Sequence, residues 1–106
     1  MKLILGHGRK YNESDIRCSP IPKKEWLHDN YISVDFNPDI CPDIVYDLRK
    51  IPWTFAENQS FSIIIDTTGL GLKHYYKKKE FNDELVRVLK KDGIFYGRFY
   101  TFKNNI

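Results

Sequence analysis

Cysteine is scarce in this chain. Only Cys18 and Cys41 occur, in neither a C-x-x-C pair nor a Cys/His cluster, which excludes the usual zinc spacings. Two free thiols in a reducing compartment are expected rather than a disulfide. Long apolar runs are missing too. A membrane helix needs about 18 or more consecutive apolar residues, and runs such as Ile63-Ile64-Ile65 are strand-sized, so no membrane association is expected. The opening MKLILGHGRK lacks the apolar length of a signal peptide; secretion is not expected, and the cytoplasm is the expected location. Charge of one sign is only in slight excess, 17 basic against 14 acidic residues for a net +3, short of the concentrated patch of a strongly basic nucleic-acid binder. His7, His28 and His74 are scattered, with no i, i+4 pair, and no metal site is expected. The serines form no G-x-S-x-G elbow and neither cysteine is glycine-flanked, which argues against hydrolase chemistry.

What the chain does have is a core. Hydrophobic residues make up 42% and aromatics 15% of its 106 residues, enough for one domain over 1–106. Residues 2–5 form an apolar run that stops at Gly6-His7-Gly8 and reads as a strand entering a glycine turn. Pro20 and Pro22 interrupt a polar stretch, after which a short helix at 23–28 would bury Trp26 and Leu27. Strands are expected at 31–35, at 44–47 and at 61–66, the last apolar on both faces as a central parallel strand is. A helix is expected over 78–90, where Phe81, Leu85, Val88 and Leu89 make one apolar stripe and Asp92-Gly93 would stop it. A strand over 94–102 follows. The pattern is α/β with a mostly parallel sheet. Only eight residues separate Asp35 from Ile44, too few for a helical crossover, so the third strand needs an extended link or a different pairing.

A glycine turn after a first strand is where doubly wound folds bind nucleotide-like ligands, with an acid ending the second strand to take ribose hydroxyls. Gly6 and Gly8 supply the turn and Asp35 the acid. Alone, a G-x-G is common, and Tyr11 stands where a dinucleotide fingerprint has its third glycine.

The strings LILGHG, ISVDFNPDICPDIVYDLRKIPW, SFSIIIDTTG and FNDELVRVLKKDGIFYGRF together resemble the class I S-adenosylmethionine-dependent methyltransferases, in order and over nearly the whole chain. The resemblance implies a Rossmann-like sheet of strand order 3-2-1-4-5 with S-adenosyl-L-methionine over the ends of strands one and two. It implies that Gly6, His7 and Gly8 wrap the methionine and ribose portion, that Asp35 accepts from the ribose hydroxyls, and that Phe36 lies against the adenine. Asp47 would meet the adenine amino group with the Leu48 amide beside it, and Asp66 and Thr67 would lie near the transferable methyl. Alternatives for these positions are a core aromatic for Phe36 and a helix cap or an Arg49 salt bridge for Asp47. Lys10 replaces the last glycine of the family's G-x-G-x-G turn. The family's leading helix and closing antiparallel strands have no counterpart, and catalytic residues are not assigned. Two functions follow: a minimal methyltransferase acting on an unidentified acceptor, or a catalytically inactive methyltransferase-like module serving as a binding or structural subunit.

Two interaction surfaces are also expected. Lys73, Lys77, Lys78 and Lys79 interleave with His74, Tyr75 and Tyr76, a composition that grips phosphates and stacks on bases; the stretch reads either as a solvated basic loop or as a face toward an anionic substrate, nucleic acid included. A strand over 94–102 without closing strands would be an edge bearing Phe95, Phe99 and Phe102, open to self-association or a partner chain.

Overall fold

Short β-branched and aliphatic runs become strands here, and the single long amphipathic stripe becomes a helix. In a computed structural model, which describes residues 1–6, 31–68, 78–97 and 100–105, Lys2–Leu5 forms β1, Tyr31–Asp35 β2, Ile44–Val45 β3 and Phe61–Asp66 β4. Helix α1 spans Lys78–Val88 and runs directly into β5, Leu89–Tyr96, which is followed by β6, Thr101–Lys103. The expected helix at 23–28 lies outside the described residues. No described helix is long and apolar enough to cross a membrane.

The strands make one α/β sheet in the order β3-β2-β1-β4-β5-β6. It is parallel except for the antiparallel β5–β6 pair. That order differs from the five-stranded 3-2-1-4-5 expectation by its sixth strand. The expected continuous strand over 94–102 is broken at Gly97, whose N–H donates to the Tyr100 carbonyl at 2.9 Å and turns the chain back. A Cβ at Gly97 would sit 2.8 Å from the Phe95 ring, so the turn is built around a residue without a side chain. β5 is consequently paired on both sides and is not an edge. Phe95 is fully buried, and the edge role passes to the three-residue β6.

The short link between β2 and β3 is resolved without a crossover helix. Asn37 caps a 3-10 turn over Pro38–Ile40, accepting from the Asp39 N–H, and Cys41 closes it in the left-handed region at φ 55°. Cys41 is a free thiol, exposed to solvent. Pairing is limited to Val34 with Ile44 and Asp35 with Val45. Just before it, the Asp43 carboxylate accepts from the Ser33 N–H at 2.9 Å, and the Asp43 N–H donates to the Ser33 hydroxyl. A side chain thus supplies the bonding that a longer β3 would have supplied to the buried Ser33.

The pleat sends Leu3 and Leu5 to one face of β1 and Ile4 to the other. On the first face α1 lays Phe81, Leu85 and Val88 against Leu3, Leu5, Val34, Ile64 and Phe95, with Trp53 and Leu48 at the border of that cluster. On the second face Ile4 and Ile65 are buried beside Tyr31, Ile63 and Tyr96.

The junction of α1 and β5 is stapled by a residue just beyond β6. Between paired positions, β4 advances from Phe61 to Ile63 while β5 advances from Leu89 to Ile94. Lys90–Gly93 therefore bulges, with Asp92 at φ 65°. The pair Asp92-Gly93 lies within this bulge instead of stopping α1, which ends earlier than expected, at Val88. Buried Asn104 fills the space below. Its side-chain amide donates to the carbonyls of Leu89, Val86 and Lys90 at 3.1, 3.3 and 3.4 Å, while its backbone bonds Gly93 and Asp92. Val86 carries one of the orphan carbonyls that a helix C-terminus leaves, and Leu89 and Lys90 lie at the helix–strand junction. Asn104→Leu keeps the branched shape and removes the donors, and is expected to lower stability by about 1–3 kcal/mol. Urea unfolding measures this; a loss under about 0.5 kcal/mol means the carbonyls are satisfied otherwise.

Candidate functional site

Parallel strands end on one rim of a sheet, and ligands of open α/β sheets gather there. On this rim lies a cleft of about 340 Å³ lined by Gly6, Asp35, Phe36, Tyr46, Asp47, Leu48, Arg49 and Thr68. Its size falls within the range of small-molecule sites. Gly6, Asp35, Phe36, Asp47 and Leu48 were expected from sequence, and β1, β2 and the segment after β3 bring them together. His7, Gly8, Lys73 and Lys77 lie outside the described residues.

Gly6 ends β1 at φ +79°, a conformation that side chains disfavour. Its N–H donates to the Val34 carbonyl at 2.7 Å, which pins the turn to β2. A Cβ added here would lie 2.6 Å from Thr68 Cγ2 and 2.9 Å from Thr67 Oγ1. The backbone is bare at this point because its neighbours already occupy the space.

Asp35 closes β2 and turns the chain. One carboxylate oxygen accepts from the Asn37 N–H at 2.9 Å. Phe36 follows with 72% of its surface exposed, so it is no core aromatic; its ring is presented to the cleft. Tyr46 stands on the wall, its hydroxyl donating to the Lys50 and Pro52 carbonyls at 2.7 and 3.2 Å, with its ring edge-on to Phe55 at 5.0 Å. Leu48 is buried, and its carbonyl accepts from the Trp53 indole N–H at 2.9 Å.

Asp47 forms the salt bridge to Arg49 that sequence offered as an alternative. Asp47 Oδ1 accepts from Arg49 Nε and from the Arg49 backbone N–H, and Oδ2 accepts from the second guanidinium nitrogen, all at 3.0 Å. These side-chain bonds from Arg49, with its backbone N–H next, hold the Asp47 carboxyl below the usual carboxylate range.

At the end of β4 the polar groups serve the backbone. The Thr67 hydroxyl donates to the Leu5 and Gly6 carbonyls, each at 2.8 Å, locking β4 to β1. Asp66 is 2% exposed, and its Oδ1 accepts from the Thr68 N–H at 2.8 Å and from the Thr68 hydroxyl. Neither Asp66 nor Thr67 lines the cleft; Thr68, which Asp66 orients, does. Beyond them the Tyr100 phenol donates to Asn82 Oδ1 at 2.6 Å. Burial, joined by the charge of Asp66, pushes the Tyr100 phenol above its ordinary pKa. Lys78 Nζ sits 5.9 Å from the centre of the Tyr100 ring, and Lys79 pairs with Asp83 at 3.0 Å in the open.

Sequence reasoning missed Tyr46 and Thr68, and named Arg49 as a partner for Asp47 without placing it in the cleft. Each is a neighbour of a residue it chose, within Y-D-L-R and D-T-T. No protein-family model and no curated protein matches this chain.

Proposed function

We propose that the chain is a Rossmann-like, methyltransferase-like domain that binds S-adenosyl-L-methionine in the cleft at the ends of β1, β2 and β3, and that it works in the cytoplasm, where two thiols stay reduced. The observation that carries this reading is the convergence of Gly6, Asp35, Phe36, Asp47 and Leu48 on one cleft. These residues suit the group. Gly6 allows close backbone approach, the strand-end carboxylate of Asp35 accepts from vicinal hydroxyls, and the exposed Phe36 ring offers a face for a purine. When bound, the cofactor supplies an electrophilic sulfonium methyl. The protein's part is to position and desolvate it against an acceptor.

A second reading, a binding module without transfer, draws support from the end of β4. There the Asp66 carboxylate and the Thr67 and Thr68 hydroxyls bond to one another or to backbone. Methyl incorporation into an acceptor separates the two readings, and both require the cofactor to bind.

Thermal unfolding with and without S-adenosylmethionine tests the binding. At 100 times its dissociation constant the ligand stabilises by about 2.7 kcal/mol and raises Tm; an unmoved Tm at millimolar ligand overturns the proposal. Asp35→Ala is expected to weaken binding by about 1.5–3 kcal/mol, the worth of a hydrogen bond to a charged group. Asp35→Asn, which keeps the acceptor for the Asn37 N–H, separates loss of the ligand contact from loss of the turn. Calorimetry returning equal affinity for all three proteins removes Asp35 from the site.

A further inference from the structure

Asp47 and Arg49 face the same cleft, and the pair they form has a consequence for which base can lie there. A carboxylate offers about four lone-pair sites. Arg49 takes three of those on Asp47, through its backbone N–H, Nε and one terminal nitrogen, each at 3.0 Å. The side chain of Asp47 is 28% exposed and that of Arg49 61%, so the pair is reachable from solvent and bounded by the cleft. A bare carboxylate at this wall would discriminate sharply between purines. It accepts from a 6-amino group and repels the oxygen of a 6-oxo group. With its charge matched by a guanidinium and most of its lone pairs engaged, it loses both the attraction and the repulsion.

We infer that Arg49 is the specificity-determining residue of the cleft, and that by engaging Asp47 it makes the site tolerant of the purine 6-substituent, admitting 6-amino and 6-oxo nucleosides alike. This rests on the nucleoside-cofactor reading above and adds to it. The ligand class is a purine nucleoside thioether or sulfonium, with weak discrimination between adenine and hypoxanthine. Arg49 here is a positioning residue, since it acts through Asp47 and the inference requires no contact between Arg49 and the ligand.

The test compares S-adenosylhomocysteine with its deaminated counterpart, S-inosylhomocysteine, by calorimetric titration. The two probes carry the same net charge, so a general change in cleft potential cancels in the ratio of their affinities. The parent protein is expected to bind both with affinities within about threefold of each other. Arg49→Met releases the Asp47 carboxylate and is expected to raise the ratio in favour of the adenosine ligand by about fivefold, the upper end of what an exposed ion pair is worth. Arg49→Lys keeps the charge without the fork and is expected to fall between. Asp47→Asn added to Arg49→Met returns the ratio to the parent value, which a merely structural role for Arg49 would not do. An unchanged ratio in Arg49→Met, with both probes still bound, overturns the inference and leaves the nucleoside reading standing. Binding of neither probe by the parent overturns that reading and the inference with it.

Discussion

Arg87→Ala is expected to lower stability by about 2–4 kcal/mol. Breaking a buried pair from one side costs about 3–5 kcal/mol because the other charge is left uncompensated, and the expected figure is reduced because the Arg87 side chain keeps 29% of its surface in solvent. Glu84, on the same helix face, is 6% exposed. Arg87 grips it with two nitrogens at 2.8 and 2.9 Å. The guanidinium also donates to the Trp53 and Ala56 carbonyls and to the Asn58 side chain, while Glu84 Oε2 accepts from the Trp53 N–H at 2.7 Å. Removing the arginine strands a carboxylate and two carbonyls together. For a domain of this size the loss corresponds to a Tm drop on the order of 10–30 °C.

The same network predicts how the loss varies with pH. Burial pushes the Glu84 carboxyl up, but the hydrogen bonds from Arg87 and from the Trp53 N–H outweigh it, and the net effect lies below the ordinary value. A carboxyl lowered on folding contributes stability that is complete above its unfolded pKa of about 4.3. The contribution is lost as pH falls through the folded value. The difference between parent and Arg87→Ala should therefore be largest near neutral pH and shrink below about pH 4. Urea unfolding at pH 7 and at pH 3.5 measures both; a gap that stays constant across that interval assigns the loss to the carbonyl contacts and not to Glu84.

Gly6→Ala is expected to remove about 2–4 kcal/mol and to close the cleft. Two separate causes contribute. A side chain at φ +79° is strained by about 1–3 kcal/mol, and the new methyl would stand 2.6 Å from Thr68 Cγ2, an overlap that only movement relieves. Thr68→Ser deletes the nearer obstruction and leaves Thr67 Oγ1 at 2.9 Å, so the double variant should recover some of the steric loss and none of the backbone part. Thermal unfolding and ligand titration on the same samples read the two effects. A Gly6→Ala protein as stable as its parent would mean that the turn opens without penalty and that Thr67 and Thr68 do not hold it closed.

β1, β2 and β4 could be read from the sequence because each is an aliphatic run bounded by turn residues, and their ends match the structure residue for residue. The apolar stripe of α1 was equally plain. Its end was not, because Leu89 continues the stripe in sequence while in space it pairs with Phe61 as the first residue of β5. The split into β5 and β6 was hidden for a related reason: aromatics run through 95–102, and only Gly97 marks the reversal. At the site, Asp35 and Asp47 were legible as acids ending strands. The partners that decide their chemistry were partly so. Arg49 lies two residues from Asp47 and was visible; away from the cleft, Glu84 lies 31 residues from Trp53 and Arg87 lies 34 residues from it, and that network was not. No local pattern announces a contact made only when the helix lies down on the sheet.

Asn104 carries a consequence for the order in which the molecule assembles. It bonds the Val86 carbonyl of α1 and the Leu89 and Lys90 carbonyls just after it across 14 to 18 positions of chain, so the junction of helix and strand is finished by a residue made well after it. During synthesis the Arg87 and Val88 carbonyls can meet the Gln59 and Ser60 N–H groups made before them, but the three carbonyls that Asn104 serves face water, and a lone eleven-residue helix is marginal in that condition. Only when the hairpin of β5 and β6 closes does Asn104 arrive, and the same event orders the bulge at Lys90–Gly93 and sets β5 in register beside β4. Helix termination and sheet extension are one cooperative step in this chain. Any nascent intermediate short of residue 104 holds an open junction between α1 and β5 beside a sheet whose last strand is not yet in register.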